Sequence, residues 1–158
     1  MFIRTRTAAA FLNCLWILAC AAPALAEHKP AASIPAADLI EPADFAASLK
    51  QSNTPKPLIL QVGFRNAYAQ AHIPDAEYAG PTGDEDGLKT LQKRIAKLPT
   101  DSAIVIYCGC CPWGRCPNIA AAYDALHGLG FKNVKVLRLT DDFGTDWVDR
   151  NYPTTKGF

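Results

Sequence analysis

The sequence predicts one α/β domain over residues 38–158, with a central parallel sheet covered by helices on both faces. Short apolar runs alternate with helical patterns along this stretch, as in a chain that returns to one sheet through helical crossovers. Runs such as "LILQV" and "AIVIY" are continuous rather than alternating in polarity, as expected of strands buried on both faces.

The elements follow in order. "EPADFAASLKQ" opens with Pro42 near a helix start and spaces Phe45 and Leu49 one turn apart, predicting a short helix. "PLILQVG" predicts a strand between Pro57 and Gly63. "RNAYAQAHI" predicts a helix stopped by Pro74. "GLKTLQKRIAKL" places Leu88, Leu91, Ile95 and Leu98 on one face, with lysines and arginine opposite. "SAIVIYC" predicts a second buried strand, "NIAAAYDALHGLG" a helix ended by Gly128 and Gly130, and "VKVLRL" a third strand.

Lys and Arg total 16 against 15 for Asp and Glu, so no basic field marks the chain for nucleic acid. Residues 1–26 are different in kind. "MFIRTR" is basic, "TAAAFLNCLWILACAA" is apolar but short for a membrane span, and "ALA" at 24–26 puts small residues where a signal peptidase needs them. A signal peptide cleaved before Glu27 is expected, giving a periplasmic or secreted protein with no membrane contact afterwards. An uncleaved anchor is the first alternative. Lipid attachment at Cys20, whose "ILAC" loosely resembles a bacterial lipobox, is the second. "EHKPAASIPAA" at 27–37, rich in Ala and Pro, is expected to be a linker.

Cys14 and Cys20 fall in the leader, so the exported chain keeps Cys108, Cys110, Cys111 and Cys116, all within "YCGCCPWGRCPN". With no cysteine elsewhere, a disulfide would close a very small ring and remove little chain entropy. The cluster is therefore chemical before it is structural. It sits at the end of an apolar strand and before a helix, where α/β sheets bind ligands and where helix N–H groups favour a thiolate. Arg115 adds a forked cationic donor suited to a sulfonate or thiosulfate.

Four segments in order carry a resemblance. "LILQVGFRNAYAQAHIPDA" (58–76) is similar to the first signature of the rhodanese-like sulfurtransferases, which ends in "HIPGA". "IVIYC" with its loop and helix resembles their active-site segment. "GFKNVKVL" (130–137) and "LTDDFGTDWVDRNYPTTKG" (139–157) resemble the stretches that follow. The resemblance implies a rhodanese-like fold and a thiosulfate sulfurtransferase-like enzyme or sulfur carrier, with no cofactor. A cysteine takes the outer sulfur of a sulfane donor as a persulfide and passes it to a thiophilic acceptor. Its partners would be a small sulfur-containing anion or a protein thiol.

Carried onto this chain, the resemblance makes Cys108 the nucleophile, with Gly109, Cys110, Cys111, Trp113, Gly114 and Arg115 around the anion and Cys111 or Cys116 as resolving thiols. The family places an arginine five positions after the nucleophile, whereas Arg115 lies seven after Cys108 and five after Cys110. Cys110 is thus the second register. Pro112 and Pro117 remove two N–H donors from the loop. Gln61 and Gly63 stand where relatives commonly carry an acidic residue and an arginine, with Arg65 displaced by two.

Two other chemistries compete. Cys108 and Cys111 have C-x-x-C spacing, suited to a thiol–disulfide redox protein. Soft thiolates also suit Cu(I) or Zn(II), but four-cysteine zinc sites generally draw on two separated pairs, and nine residues crossed by prolines are expected to struggle to wrap a tetrahedron. No metal ligand is therefore assigned. A phosphatase or arsenate reductase loop would put its arginine closer to the cysteine. Elsewhere, His72 is expected to order its Ile-Pro turn, His127 to lie on the surface at a helix end, and Trp147 and Tyr152 to pack in the core or a lid. Trp113 either shields a persulfide or grips a partner, or simply packs.

Overall fold

The structure is a computed structural model and describes residues 31–51 and 54–158. The expected signal peptide and the start of the linker lie outside the described residues. Five strands form one parallel sheet in the order β1-β5-β4-β2-β3. They are β1 (Leu39–Ile40), β2 (Leu58–Gln61), β3 (Glu77–Tyr78), β4 (Ile104–Tyr107) and β5 (Val134–Leu137). The helices are α1 (Pro42–Ser48), α2 (Arg65–Gln70), α3 (Glu85–Ile95) and α4 (Pro117–Gly128). No helix among the described residues is long and apolar enough to cross a membrane.

β4 is central and wholly buried, which matches its unbroken apolar run. Strand alternation divides its side chains between two cores. Ile104 and Ile106 face Leu91 and Ile95 of α3 and Ile119, Ala122 and Leu126 of α4. Val105 and Tyr107 face Phe45 of α1, with Phe143 just before, and Trp147 within, a five-residue π-helical turn at Gly144–Val148. Trp147 is fully buried and its Nε1 donates to the Pro153 carbonyl at 2.8 Å.

Several boundaries differ from expectation. α2 stops at Gln70, and Ala71 is extended. His72 then pairs with Thr155 through two backbone hydrogen bonds of 2.9 and 2.8 Å, which helical geometry would forbid. The two-residue strands β1 and β3 are too short for periodicity to signal. Part of the expected linker packs onto the domain: Ala31 and Ile34 are buried in the α3–α4 core, beside the turn that carries Trp113. Apolar side chains three apart on a helical turn share one face, and this pair uses it.

Candidate active site

β4 delivers Cys108 to the carboxyl edge of the sheet, and the alternation that sends Ile104 and Ile106 toward α4 sends its thiol the same way. Gly109 then takes φ +74°, a left-handed conformation suited to glycine. A Cβ on Gly109 would meet Phe143 Cβ at 2.5 Å, and the Gly109 carbonyl accepts the Phe143 N–H at 3.1 Å. This reversal aims the chain back across the sheet edge. A short 3-10 turn at Trp113–Arg115 reverses it again, pinned by the Trp113 N–H to the Thr140 carbonyl at 3.2 Å. Cys116 is thereby returned to Cys108 as the N-cap of α4.

The two reversals gather all four sulfurs within 4.8 Å of one another. Both prolines notwithstanding, the nine residues expected to struggle to wrap a tetrahedron bring their four sulfurs together. Pro112 directly precedes the second turn, and Pro117 occupies the first position of α4, where a missing N–H breaks no helical bond. Cys108 and Cys116 are buried, Cys110 and Cys111 half-buried, and all four are free thiols. Cys108 and Cys110 have their sulfurs 3.0 Å apart, and Cys110 and Cys111 3.4 Å apart. The two nucleophile registers left open by arginine spacing thus share one site.

A second tier of residues holds the sulfurs in place. Asn118, 4% exposed, donates from Nδ2 to Cys108 Sγ at 3.3 Å and Cys110 Sγ at 3.6 Å. Its Oδ1 accepts the Gly83 N–H at 2.7 Å, and its backbone carbonyl accepts the Thr82 hydroxyl at 2.6 Å. Gln61, also buried, donates from Nε2 to the Cys108 carbonyl and accepts the Gly63 N–H, both at 3.2 Å. A Cβ on Gly63 would lie 2.9 Å from Cys108 Sγ, so glycine leaves the space the thiol occupies.

Hydrogen bonding from Cys108, with further donation from Cys116 and Asn118, holds the Cys110 thiol far below its ordinary proton affinity. Hydrogen bonds to Cys110, Cys111 and Cys116, then burial, push that of Cys108 up. Along the 3.0 Å contact between the two sulfurs, these shifts make Cys110 the readier acceptor and Cys108 the donor. Beside Cys108 lies a cavity of about 10 Å³, lined by Cys108, Gly109, Cys111, Trp113, Cys116 and Ile119, with Leu137 and Leu139 completing it. Trp113 is half-buried, packs against the α3–α4 core and lines this cavity.

Gly114 and Arg115 are exposed and do not line the cavity. Arg65 stacks its guanidinium over the Phe158 ring at 4.0 Å and faces Tyr78 at 5.6 Å. His72 bonds the Tyr68 carbonyl through Nδ1 at 2.9 Å and stacks on the Tyr68 ring, a structural role as expected. His127 is exposed. Asn118 is the residue that sequence reasoning missed; its signal was a polar side chain one position after a Cys-Pro helix start, beside a thiol cluster.

The model of the Rhodanese-like domain matches residues 41–139. The chain belongs to the rhodanese-like domain family. Among solved structures, the Rhodanese-like domain of the Alr3790 protein from Anabaena sp. is 21% identical, with a TM-score of 0.57 over 75% of this chain and 79% of that one. The BH2092 protein from Bacillus halodurans is 21% identical, with a TM-score of 0.56 over 74% of this chain and 75% of that one. A variant of EanB in complex with hercynine is 22% identical at a TM-score of 0.52, over 75% of this chain and 27% of that one. At these identities the likeness is one of fold. No curated protein sequence matches this chain.

Proposed function

We propose that the domain is a sulfurtransferase that accepts sulfane sulfur on Cys108. The carrying observation is the cavity beside Cys108, whose volume of about 10 Å³ fits one water-sized atom. The outer sulfur of a persulfide is such an atom. Ile119, Leu137, Leu139 and Trp113 shield that space on the apolar side, while a sulfonate end must stay outside. For attack, the Cys108 proton moves along its 3.0 Å bond to the Cys110 thiolate. The freed Cys108 sulfur bonds the outer sulfur of thiosulfate, the sulfur–sulfur bond of the donor breaks, and sulfite leaves with the electron pair. A thiophilic acceptor then takes the outer sulfur, restoring the thiolate.

Cys111 and Cys116 line the same cavity and supply a second outcome. Either thiol attacks the inner sulfur of the persulfide, forming a disulfide with Cys108 and releasing hydrogen sulfide, which leaves a site that an external thiol must reduce. We further propose that residues 1–26 are a signal peptide that sends this chemistry outside the cytoplasm, and N-terminal sequencing of the exported protein is expected to begin at Glu27.

The reading is tested by incubating the reduced chain with thiosulfate and mapping the loop peptide by mass spectrometry. One added sulfur is expected on Cys108, lost in Cys108→Ser and kept in Cys116→Ser. In Cys111→Ser/Cys116→Ser the adduct is expected to persist longer. An unlabelled loop in the wild type, or an adduct that survives Cys108→Ser, overturns it.

A further inference from the structure

The loop gathers more sulfur than a transfer reaction requires. One nucleophile and one resolving thiol would suffice, yet four Sγ atoms converge within 4.8 Å of one another. A single zinc ion, bound at a zinc–sulfur distance of about 2.3 Å, sets the sulfurs of a regular tetrahedron about 3.8 Å apart. Two of the pairs, at 3.0 and 3.4 Å, lie inside that edge, and all lie within 4.8 Å. Clusters of several irons spread their cysteines over different metal atoms, so this tight group suits one ion.

We infer that Cys108, Cys110, Cys111 and Cys116 together bind one thiophilic d10 ion, Zn(II) or Cu(I), and that the loaded site cannot accept sulfane sulfur. The group is all thiol, with neither carboxylate nor imidazole, which selects soft ions over Mg(II) or Ca(II). Two sulfurs are buried and two half-buried, so an ion would be largely enclosed yet reachable from one side. Asn118 supplies what a thiolate site needs around it, a fixed N–H donor to two of the sulfurs, locked by Gly83 and Thr82. The N-terminus of the 12-residue α4, capped by Cys116 itself, favours the resulting negative charge.

Binding converts each protonated thiol to a metal-bound thiolate and releases its proton to solvent. The sulfur lone pair that would attack a donor is then held by the ion. The inference goes beyond sulfur transfer, and its binding test stands apart from that activity.

The reduced full chain, with Cys14→Ser and Cys20→Ser so that only the loop carries thiols, is titrated without oxygen. Co(II) serves as the spectroscopic probe, zinc as its competitor, and Cu(I) is offered separately against a Cu(I)-selective chelator. One ion per chain is expected, with thiolate-to-cobalt charge transfer and tetrahedral bands that zinc bleaches. Tight Cu(I) without zinc or cobalt supports the site and names copper. Affinity is expected to fall at least about tenfold in Cys110→Ser and Cys111→Ser, both half-buried, and about 10–100-fold in Asn118→Ala. Circular dichroism checks that each variant is folded. No binding of any of these ions above the thiol-alkylated protein, or binding unchanged in both serine variants, overturns the site. Sulfur loading undiminished at metal saturation overturns the mutual exclusion, while binding by a chain that takes up no sulfur leaves the site standing and removes only the transferase reading.

Discussion

Asn118 holds its side-chain N–H 3.3 Å from Cys108 Sγ while its carbonyl oxygen takes the Gly83 N–H at 2.7 Å. A flip of the amide would turn an acceptor toward the sulfurs and a donor toward another donor, so the two contacts fix each other. Asn118→Ala leaves the Gly83 N–H without this partner and is expected to cost about 1–3 kcal/mol of stability. Asn118→Asp puts a carboxylate beside the thiolates and is expected to load sulfur more slowly than the alanine variant. A thermal melt and the rate of sulfur gain by mass spectrometry check both.

Gly63 borders Cys108 from two residues beyond the end of β2. In Gly63→Ala the new Cβ meets Cys108 Sγ at 2.9 Å and Gln61 Nε2 at 3.0 Å, and both groups are buried. Overpacking of this kind costs about 1–3 kcal/mol. On the role proposed for Cys108, its displacement is expected to slow sulfur loading about tenfold or more. Single-turnover loading at saturating thiosulfate is the measurement.

Gly109→Ala combines an unfavourable φ of +74° with a 2.5 Å approach to Phe143 Cβ. A loss of roughly 2–4 kcal/mol is expected, with the loop displaced from Phe143. Gly114→Ala is the control within the same loop, since nothing lies within 4 Å of its added Cβ. That variant is expected to stay within about 0.5 kcal/mol of wild type. Urea unfolding of the two variants separates them.

Away from the thiols, Arg94 of α3 clasps Glu77 of β3 with two hydrogen bonds. The bond to Arg94 holds the Glu77 carboxyl below its ordinary value of 4.5. Its stabilisation is therefore present above the unfolded value and lost as pH falls through the lower folded one. Both side chains are a third or more exposed, so Glu77→Gln is expected to cost only about 0.5–1 kcal/mol at pH 7. Melts at pH 7 and pH 3 are expected to show the gap narrowing in acid.

The buried strands were legible because burial on both faces writes itself as unbroken apolar runs, as in "LILQ" and "IVIY". α3 was legible from Leu91 and Ile95 on one face. What sequence did not show was convergence in space. Spacing could place Cys108 at a strand end, but the return of Cys116 depends on Gly109 going left-handed against Phe143, a residue 34 positions away. Asn118 was equally hidden, since its role rests on Gly83, a partner from the other side of α3. The end of α2 was missed for the same reason: Thr155, at the far end of the chain, holds His72 extended.

The match to the family covers residues 41–139, but closure of the site extends beyond both ends of that span. Upstream, Ala31 and Ile34 pack beside the turn carrying Trp113; downstream, Phe143 takes the space that Gly109 leaves open. The shared frame furnishes the strand end, the helix start and the residues lining the cavity, while these flanking stretches brace the loop from behind. Small changes at Ile34 or Phe143 are therefore expected to reset the loop from behind without disturbing the sheet that presents the sulfurs.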